Sequence, residues 1–424
     1  MARLVGPGWE QREIRFVCLA VIAAGIVALL LSLPAAAGRP VFGIRVMADF
    51  PAFYLAGDIL NRYTADRLYD LELQDRLYRE LRPGAPPGST LPFAYPPYFA
   101  LLFRPFARLP YLAAYLVWIF FSLCLYLLGL NLIWPRSELP QETWITGVLL
   151  ALSFQPFLIE CWIGGQTTGF GFCVLALSLW LVQRDRLVLA GMVISLCLYK
   201  PTLLVLVLPC LLIGRQFPVL GGFSLGALML AAVSVGAVGM EACRGYVQLL
   251  FKYFSGTTGS ASPFRTWKFV DLNAFFQLLP GGRSMPGRVL FVLVAAACFG
   301  AVVVAWRRYP KSGRHQQLHL WAAGLTGTLV VNVYVPIYDC SIAVLGACLT
   351  ARLLPAGHPR LAQFNALVAA TYLSAWVTQA IAAVSGIQMF TVLLLAVTAL
   401  QLRLAREEQD PGRALSASPS SASG

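Results

Sequence analysis

Polar residues that could do chemistry are scarce in this sequence, and Asp49 is the first that needs an explanation. It follows an apolar run over residues 14–34 that is long enough to cross a membrane. A carboxylate just outside a membrane helix can serve an enzyme as its general base. Asp49 also precedes a helical pattern with Pro51 in its first turn, so it could instead act only as a helix N-cap.

Several other polar residues are predicted to lie near the same membrane face as Asp49. They are Gln166 after Gly164-Gly165, Lys200 before Pro201, the pair Tyr338-Asp339, and the loop residues Arg265, Lys268 and Asp271. An ionisable residue in or near a membrane is a functional hypothesis by default. These residues are therefore candidates for one site, and Tyr95 in the segment 35–110 is a further candidate for substrate binding.

Each candidate also has a purely structural alternative. Lys200 could be a snorkelling lysine or could cap the end of a helix. The glycines before Gln166 could form a tightly packed helix terminus instead of a ligand-binding loop. Tyr338-Asp339 could belong to an interfacial belt, and the two prolines after Tyr95 could simply fix the start of a short helix.

The elements that must position these residues are membrane helices. Of the 424 residues, 58% are hydrophobic and 12% are charged, and the mean hydropathy is +0.71. Soluble proteins carry about 25% charged residues. The net charge of +13 comes from basic residues at the ends of apolar segments, which indicates membrane orientation and no nucleic-acid partner. The ten cysteines include no C-x-x-C pair, so no zinc or redox site is expected.

Apolar runs predict an all-α polytopic membrane protein with about twelve transmembrane helices. The predicted spans are 14–34, 111–133, 144–162, 166–183, 187–200, 202–214, 217–239, 289–306, 318–335, 338–354, 361–384 and 386–402. The first is read as a retained span and not as a cleaved signal. Residues 1–410 form one predicted domain, and the Ser/Ala-rich tail 411–424 is predicted to be disordered.

Basic residues in the short loops orient the spans. The cluster from Arg307 to Arg314 falls on the same side as Arg184 and Arg215, which the positive-inside rule makes cytoplasmic. Both termini then lie in the cytoplasm, while Asp49 and Lys200 face the outside. This parity requires two short spans in 187–214, broken at Lys200-Pro201. One kinked helix is the alternative.

The segment 35–110 is predicted to be a large first outer loop with interfacial helices. One helix is predicted over 48–61, and Asp58 on its far side is expected to be solvated. The run from Phe99 to Phe103 is too short to span and is predicted to lie in the membrane plane or to re-enter it.

Several short motifs resemble glycosyltransferase family 87. They are Asp49 with Tyr54, Leu68-Tyr69-Asp70, Phe93-Ala94-Tyr95-Pro96-Pro97, the run from Arg104 to Pro110, Gly165-Gln166, Gly191, Lys200-Pro201 and Tyr338-Asp339. Thr168 stands where the family usually has an asparagine. The resemblance implies a GT-C-like fold and a hexosyltransferase that uses a polyprenyl-phosphate sugar, with mannose as the expected sugar.

The residues are consistent with that chemistry. Transfer from a lipid phosphate needs a base to deprotonate the acceptor hydroxyl, for which we expect Asp49. Cations must stabilise the departing phosphate, for which Lys200, Arg265 and Lys268 are candidates. No cofactor or metal is required, because the lipid phosphate is already a leaving group. A single displacement implies inversion at the anomeric carbon.

The sequence therefore predicts a glycosyltransferase of the inner (plasma) membrane, acting on its non-cytoplasmic face. Its partners would be a lipid-linked sugar donor, a lipid or glycan acceptor, and membrane lipids. The main alternative is a transporter or flippase of a lipid-linked glycan. A flippase would be expected to carry charges along a path through the bilayer, whereas the predicted spans are nearly free of acidic residues, with Glu160 as the main exception.

Overall fold

The computed structural model describes most of the chain. The described residues are 11–33, 47, 49–83, 85–254, 266–355 and 357–408, with the backbone alone at 253 and 254. Arg265 and the predicted tail 411–424 lie outside these residues.

Within the described ranges, the chain folds into sixteen α-helices. They are α1 (Gln11–Ser32), α2 (Phe50–Arg62), α3 (Leu71–Leu81), α4 (Pro97–Phe103), α5 (Tyr111–Ile133), α6 (Gln141–Leu152), α7 (Thr168–Val182), α8 (Leu187–Ser195), α9 (Val207–Ile213), α10 (Phe217–Phe254), α11 (Leu272–Leu278), α12 (Met285–Trp306), α13 (Arg314–Val330), α14 (Ala343–Leu353), α15 (Leu361–Ser385) and α16 (Met389–Glu407). Short 3₁₀ turns and a π-helical segment, Pro156–Ile163, join them. The described residues contain no β-strand, and Phe269 and Pro336 form an isolated bridge.

The helical architecture of the prediction is confirmed, whereas the count of twelve spans stays a prediction. Among the described residues, six helical segments are long and apolar enough to cross a membrane. They are Gln11–Ser32, Tyr111–Glu138, Phe217–Lys252, Met285–Lys311, Leu361–Ser385 and Met389–Glu407. A seventh crossing is possible if α6 and the π-helical segment, which are bent by 56°, form one span. The remaining apolar helices are shorter, because glycines and prolines interrupt them.

The segment 187–214 is interrupted where the sequence predicts. Lys200 adopts φ −141° and ψ 81°, which is not helical, and Pro201 starts a new 3₁₀ turn. Neither half is long enough to be a membrane span on its own. Helix α8 packs closely on α10, and a Cβ on Gly191 would lie 1.9 Å from the Val219 carbonyl oxygen. Small residues allow such close approach between apolar helices.

Helix α2 has the predicted position but a different environment at Asp58. Its side chain is 10% exposed and forms an ion pair with Arg62 one turn later, so the expectation that Asp58 is solvated is wrong. The pairing follows from the spacing, because residues i and i+4 share a helix face. On another face of α2, Phe53 stacks on Phe103 of α4 at 5.0 Å between ring centroids, and this packing fixes α2 against the body of the protein.

Candidate active site

A loop at Gly164 to Thr167 forms the floor of the site. The π-helical segment ends at Gly164, and Gly165 has φ +76°, a conformation that favours glycine. The carbonyl oxygen of Ile163 accepts a hydrogen bond from the Tyr115 hydroxyl at 2.6 Å, and that of Gly165 accepts one from Trp118 Nε1 at 3.2 Å. Helix α5 therefore holds the loop backbone in place.

Backbone hydrogen bonds bring Asp49 to this loop. The N–H of Met47 donates to the Ile163 carbonyl at 3.3 Å, and the N–H of Asp49 donates to the Gly164 carbonyl at 3.2 Å. The Gln166 side chain then donates from Nε2 to Asp49 Oδ2 at 2.6 Å. Asp49 occupies the N-cap position of α2, but its side chain makes no capping hydrogen bond. The alternative that Asp49 acts only as a cap is therefore wrong.

The surroundings of Asp49 make its carboxyl group more basic than usual. Burial raises its pKa, the hydrogen bond from Gln166 lowers it in part, and the nearby Glu160 raises it further. Lys268 and Lys200 lower the pKa by smaller amounts. A carboxylate with a raised pKa accepts protons more readily, which suits a general base.

A buried ion pair lies on the other side of the loop. Lys200 Nζ is 2.6 Å from Asp339 Oδ2, and the two side chains are 8% and 0% exposed. Asp339 Oδ1 also accepts a hydrogen bond from the Thr168 hydroxyl at 2.9 Å. The ammonium group lies 4.4 Å from the centre of the Tyr338 ring, in cation–π geometry. Lys200 is thus no snorkelling lysine, and its charge is already matched by Asp339.

Aromatic side chains, called the aromatic wall, connect the loop at Gly164 to Thr167 with Lys200. Tyr199, next to Lys200, donates from its hydroxyl to the Thr167 carbonyl at 3.3 Å. Its ring stacks on Phe99 at 4.5 Å and on Tyr95 at 6.2 Å. Tyr95 therefore lies beside the site as part of the packed wall, and its carbonyl accepts a hydrogen bond from the Tyr69 hydroxyl at 2.7 Å.

Among the described residues, Lys268 and Lys200 are the lysines that lower the pKa of Asp49, and the ion pair of Lys268 is the longer of the two. Lys268 Nζ is 3.9 Å from Glu160 Oε2, and its side chain is 35% exposed. Glu160 is also held by Gln379, which donates to Oε1 at 2.9 Å. At 3.9 Å the Lys268–Glu160 contact is longer than a direct hydrogen bond. Lys268 therefore retains the capacity to contact an anion.

Asp271 has a structural role next to the site. Its carboxylate accepts backbone hydrogen bonds from Ala274 at 3.0 Å and Val335 at 2.8 Å, so it caps α11 and clamps the segment before Tyr338. Burial raises the pKa of Asp271 to about 6 despite these bonds. Asp271 is fully buried, and substrate cannot reach it in this arrangement.

The structure brings together most of the residues that the sequence proposes. Gln166 contacts Asp49, Lys200 contacts both Tyr338 and Asp339, and Lys268 lies within electrostatic range of Asp49. Arg265 lies outside the described residues. Glu160, Thr168 and Tyr199 were not among the predicted site residues. Glu160 had a detectable signal, because an acidic residue within an apolar run is rarely without function.

The fold and the site together define an integral membrane protein with a half-buried, basic carboxylate set among amide, aromatic and cationic side chains. A family model described as "Glycosyltransferase family 87" matches residues 93–336, which is more than half of the chain. The chain belongs to glycosyltransferase family 87 and is a membrane glycosyltransferase. No curated protein and no solved structure matches it significantly.

Proposed function

We propose that this protein transfers a sugar, with mannose as the expected one, from a polyprenyl-phosphate donor to a lipid or glycan acceptor on the non-cytoplasmic face. The observation that carries the proposal is the Asp49 carboxylate, held by Gln166 at 2.6 Å and made more basic by burial. The membership of family 87 supports a sugar-transfer reaction over the flippase alternative.

The proposed reaction is a single displacement. The acceptor oxygen forms a bond to the anomeric carbon while its proton passes to Asp49. The bond from the anomeric carbon to the phosphate oxygen breaks, and its electron pair leaves with the polyprenyl phosphate. Because one displacement occurs, the anomeric configuration inverts. Asp49 Oδ2 already accepts a hydrogen bond from Gln166, so Oδ1 is the oxygen that would receive the proton.

Lys268 is the residue that we propose for the departing phosphate. It is partly exposed and only loosely paired with Glu160, whereas Lys200 is buried against Asp339. A cation close to the leaving oxygen stabilises the charge that develops in the transition state. In this proposal Lys200 and Thr168 act indirectly, because both contact Asp339 and Thr168 directly follows the loop that carries Gln166.

The proposal can be tested with the purified chain in liposomes. Radiolabelled polyprenyl-phosphate-mannose and a lipid acceptor extract are added, and the labelled product is analysed for its anomeric configuration. We expect transfer with inversion from the lipid-phosphate donor and none from a nucleotide sugar. Transfer only from the nucleotide sugar, or retention of configuration, would contradict the proposal.

A further inference from the structure

A cavity lies at the start of α12, and its lining includes none of the site residues described above. It has a volume of about 650 Å³, and its lining includes Asn273, Gln277, Arg283, Arg288 and Phe291. The cavity therefore combines two cationic side chains and two amides with an apolar wall. None of these residues takes part in the proposed sugar transfer.

The two arginines of this cavity lack an acidic counterpart. Within the described part of the chain, neither Arg283 nor Arg288 forms an ion pair, although Arg288 Nε donates to the Arg283 carbonyl at 3.1 Å. In the sequence from 255 to 288, Asp271 is the single acidic residue, and it is fully buried and bonded to backbone amides. The positive charge of the cavity is thus available to an external anion.

The apolar wall of the cavity continues along a membrane helix. Helix α12 is within the candidate span Met285–Lys311, and 11% of an apolar 18-residue stretch of this span is buried inside the protein, the lowest share among the six candidate spans. Val292 lines the cavity, and Val292 and Leu293 are 58% and 62% exposed. Arginines at the end of a lipid-facing helix lie at the depth of lipid head groups. A hydrocarbon chain beside α12 would place its own head group at the cavity.

We propose that this cavity binds the phosphate head group of an anionic membrane lipid, with the lipid chains lying along the exposed face of α12. Guanidinium groups bind phosphate through paired, charge-assisted hydrogen bonds. The amides of Asn273 and Gln277 line the same cavity. The exposed side chains of Val292 and Leu293 would contact the acyl chains of the lipid. The occupant is a lipid rather than free phosphate, because the apolar face adds contacts that an inorganic ion cannot make.

The test uses the full-length protein in nanodiscs with a photoactivatable phosphatidylglycerol or a matched phosphatidylcholine. Arg283→Gln/Arg288→Gln is compared with Arg307→Gln/Arg308→Gln, which removes the same charge from the other end of the same helix. We expect the anionic probe to label the peptide around Phe291 in wild type and in the control variant. Labelling should fall roughly tenfold in the cavity variant.

Three results would overturn this proposal. The cavity variant could label as strongly as wild type, the zwitterionic lipid could label as strongly as the anionic one, or excess inorganic phosphate could abolish labelling. The first would show that the arginines do not hold the head group, the second that the cavity does not select an anionic lipid, and the third that the apolar face adds too little to favour a lipid over an inorganic ion. The measurement does not depend on sugar transfer, so it stays informative if the proposed reaction is wrong.

Discussion

At the scale of single residues, Asp49 differs from the other carboxylates near it by what it contacts. Asp58 is paired with Arg62, and Asp339 with Lys200. Asp271 accepts two backbone N–H groups. Asp49, by contrast, accepts its short hydrogen bond from the uncharged amide of Gln166. An amide orients a carboxylate without neutralising it. Glu160 also accepts from an amide, that of Gln379, but it lies beside the cationic Lys268 as well, so Asp49 is the carboxylate best suited to accept a proton.

The Gln166 hydrogen bond predicts a specific pH effect. Since this bond lowers the pKa of Asp49, Gln166→Leu should raise that pKa further. A base must be deprotonated to act, so transfer by wild type should fall as the pH drops through the raised pKa of Asp49. In Gln166→Leu this fall should begin at a higher pH. The measurement is the pH profile of the transfer rate at saturating donor.

A conservative variant separates this effect from general damage to the loop. Gln166→Asn keeps an amide but shortens its reach, so it should lower the rate while shifting the profile less than Gln166→Leu. A Gln166→Leu profile that is unshifted, or that moves to lower pH, would argue against the proposed coupling between these two side chains.

At the scale of elements, two broken helical segments create the site. The π-helical segment stops at Gly164, and the segment after α8 stops at Lys200. A Cβ on Gly165 would lie 2.8 Å from the Phe50 Cβ, so the loop can approach α2 only because this residue is glycine. In a continuous helix the backbone N–H and C=O groups pair with one another. At these two breaks the helical pairing stops, and polar residues lie between apolar helices.

The buried ion pair between these segments should be sensitive to removal of one partner. Lys200→Met leaves Asp339 charged and buried, so we expect a loss of about 3–5 kcal/mol in the free energy of unfolding. Lys200→Met/Asp339→Leu removes both charges and should recover most of that loss. The fraction of monodisperse protein that survives heating in detergent, followed by size exclusion, provides the comparison.

A surface pair is the matched control for this experiment. Arg244 and Glu241 form an exposed ion pair at 3.4 Å, and Arg244→Gln should cost less than about 1 kcal/mol. If the double variant at Lys200 and Asp339 were less stable than either single variant, the pair would stabilise the protein by more than the neutralisation of two buried charges.

The sequence predicted the elements better than their contacts. The positions of proline and glycine located the breaks at Gly164 and Lys200, because proline restricts the backbone and glycine relaxes it. The partners of the polar residues could not be predicted this way. Asp339 meets Thr168 across 171 positions of sequence, and only tertiary packing brings them together. For Asp58 the error lies in burial. Its partner Arg62 is one helical turn away, but its burial depends on helices distant in sequence, so the sequence wrongly predicted a solvated side chain.

At the scale of the whole molecule, the orientation in the membrane remains a prediction. The positive-inside rule puts the loop of α3 and the start of α12 outside, and the segment before α13 in the cytoplasm. Single cysteines introduced at Ser89, Ser284 and Gly313, in a background lacking the three native cysteines that are not buried (Cys124, Cys243 and Cys298), can test this with an impermeant thiol reagent. Ser89→Cys and Ser284→Cys should react from outside intact cells, and Gly313→Cys only after permeabilisation.

These positions are chosen because the site residues are too buried for labelling. Asp339 and Lys200 are buried, whereas Ser89, Ser284 and Gly313 are exposed. Reaction of the cysteines at 89 and 284 from opposite sides of the membrane would contradict a single non-cytoplasmic site.

The most direct test of the account compares two aspartates of the α2 region in the same transfer assay. Asp49→Asn keeps the shape of the side chain and can still accept from Gln166, but it cannot take a proton. Asp58→Asn removes a negative charge from the same region, away from the loop. We expect Asp49→Asn to lower the rate of transfer from polyprenyl-phosphate-mannose by about 10²–10⁴-fold, and Asp58→Asn to lower it by less than about tenfold. If Asp49→Asn transferred sugar at the wild-type rate while remaining folded, Asp49 would not be the base.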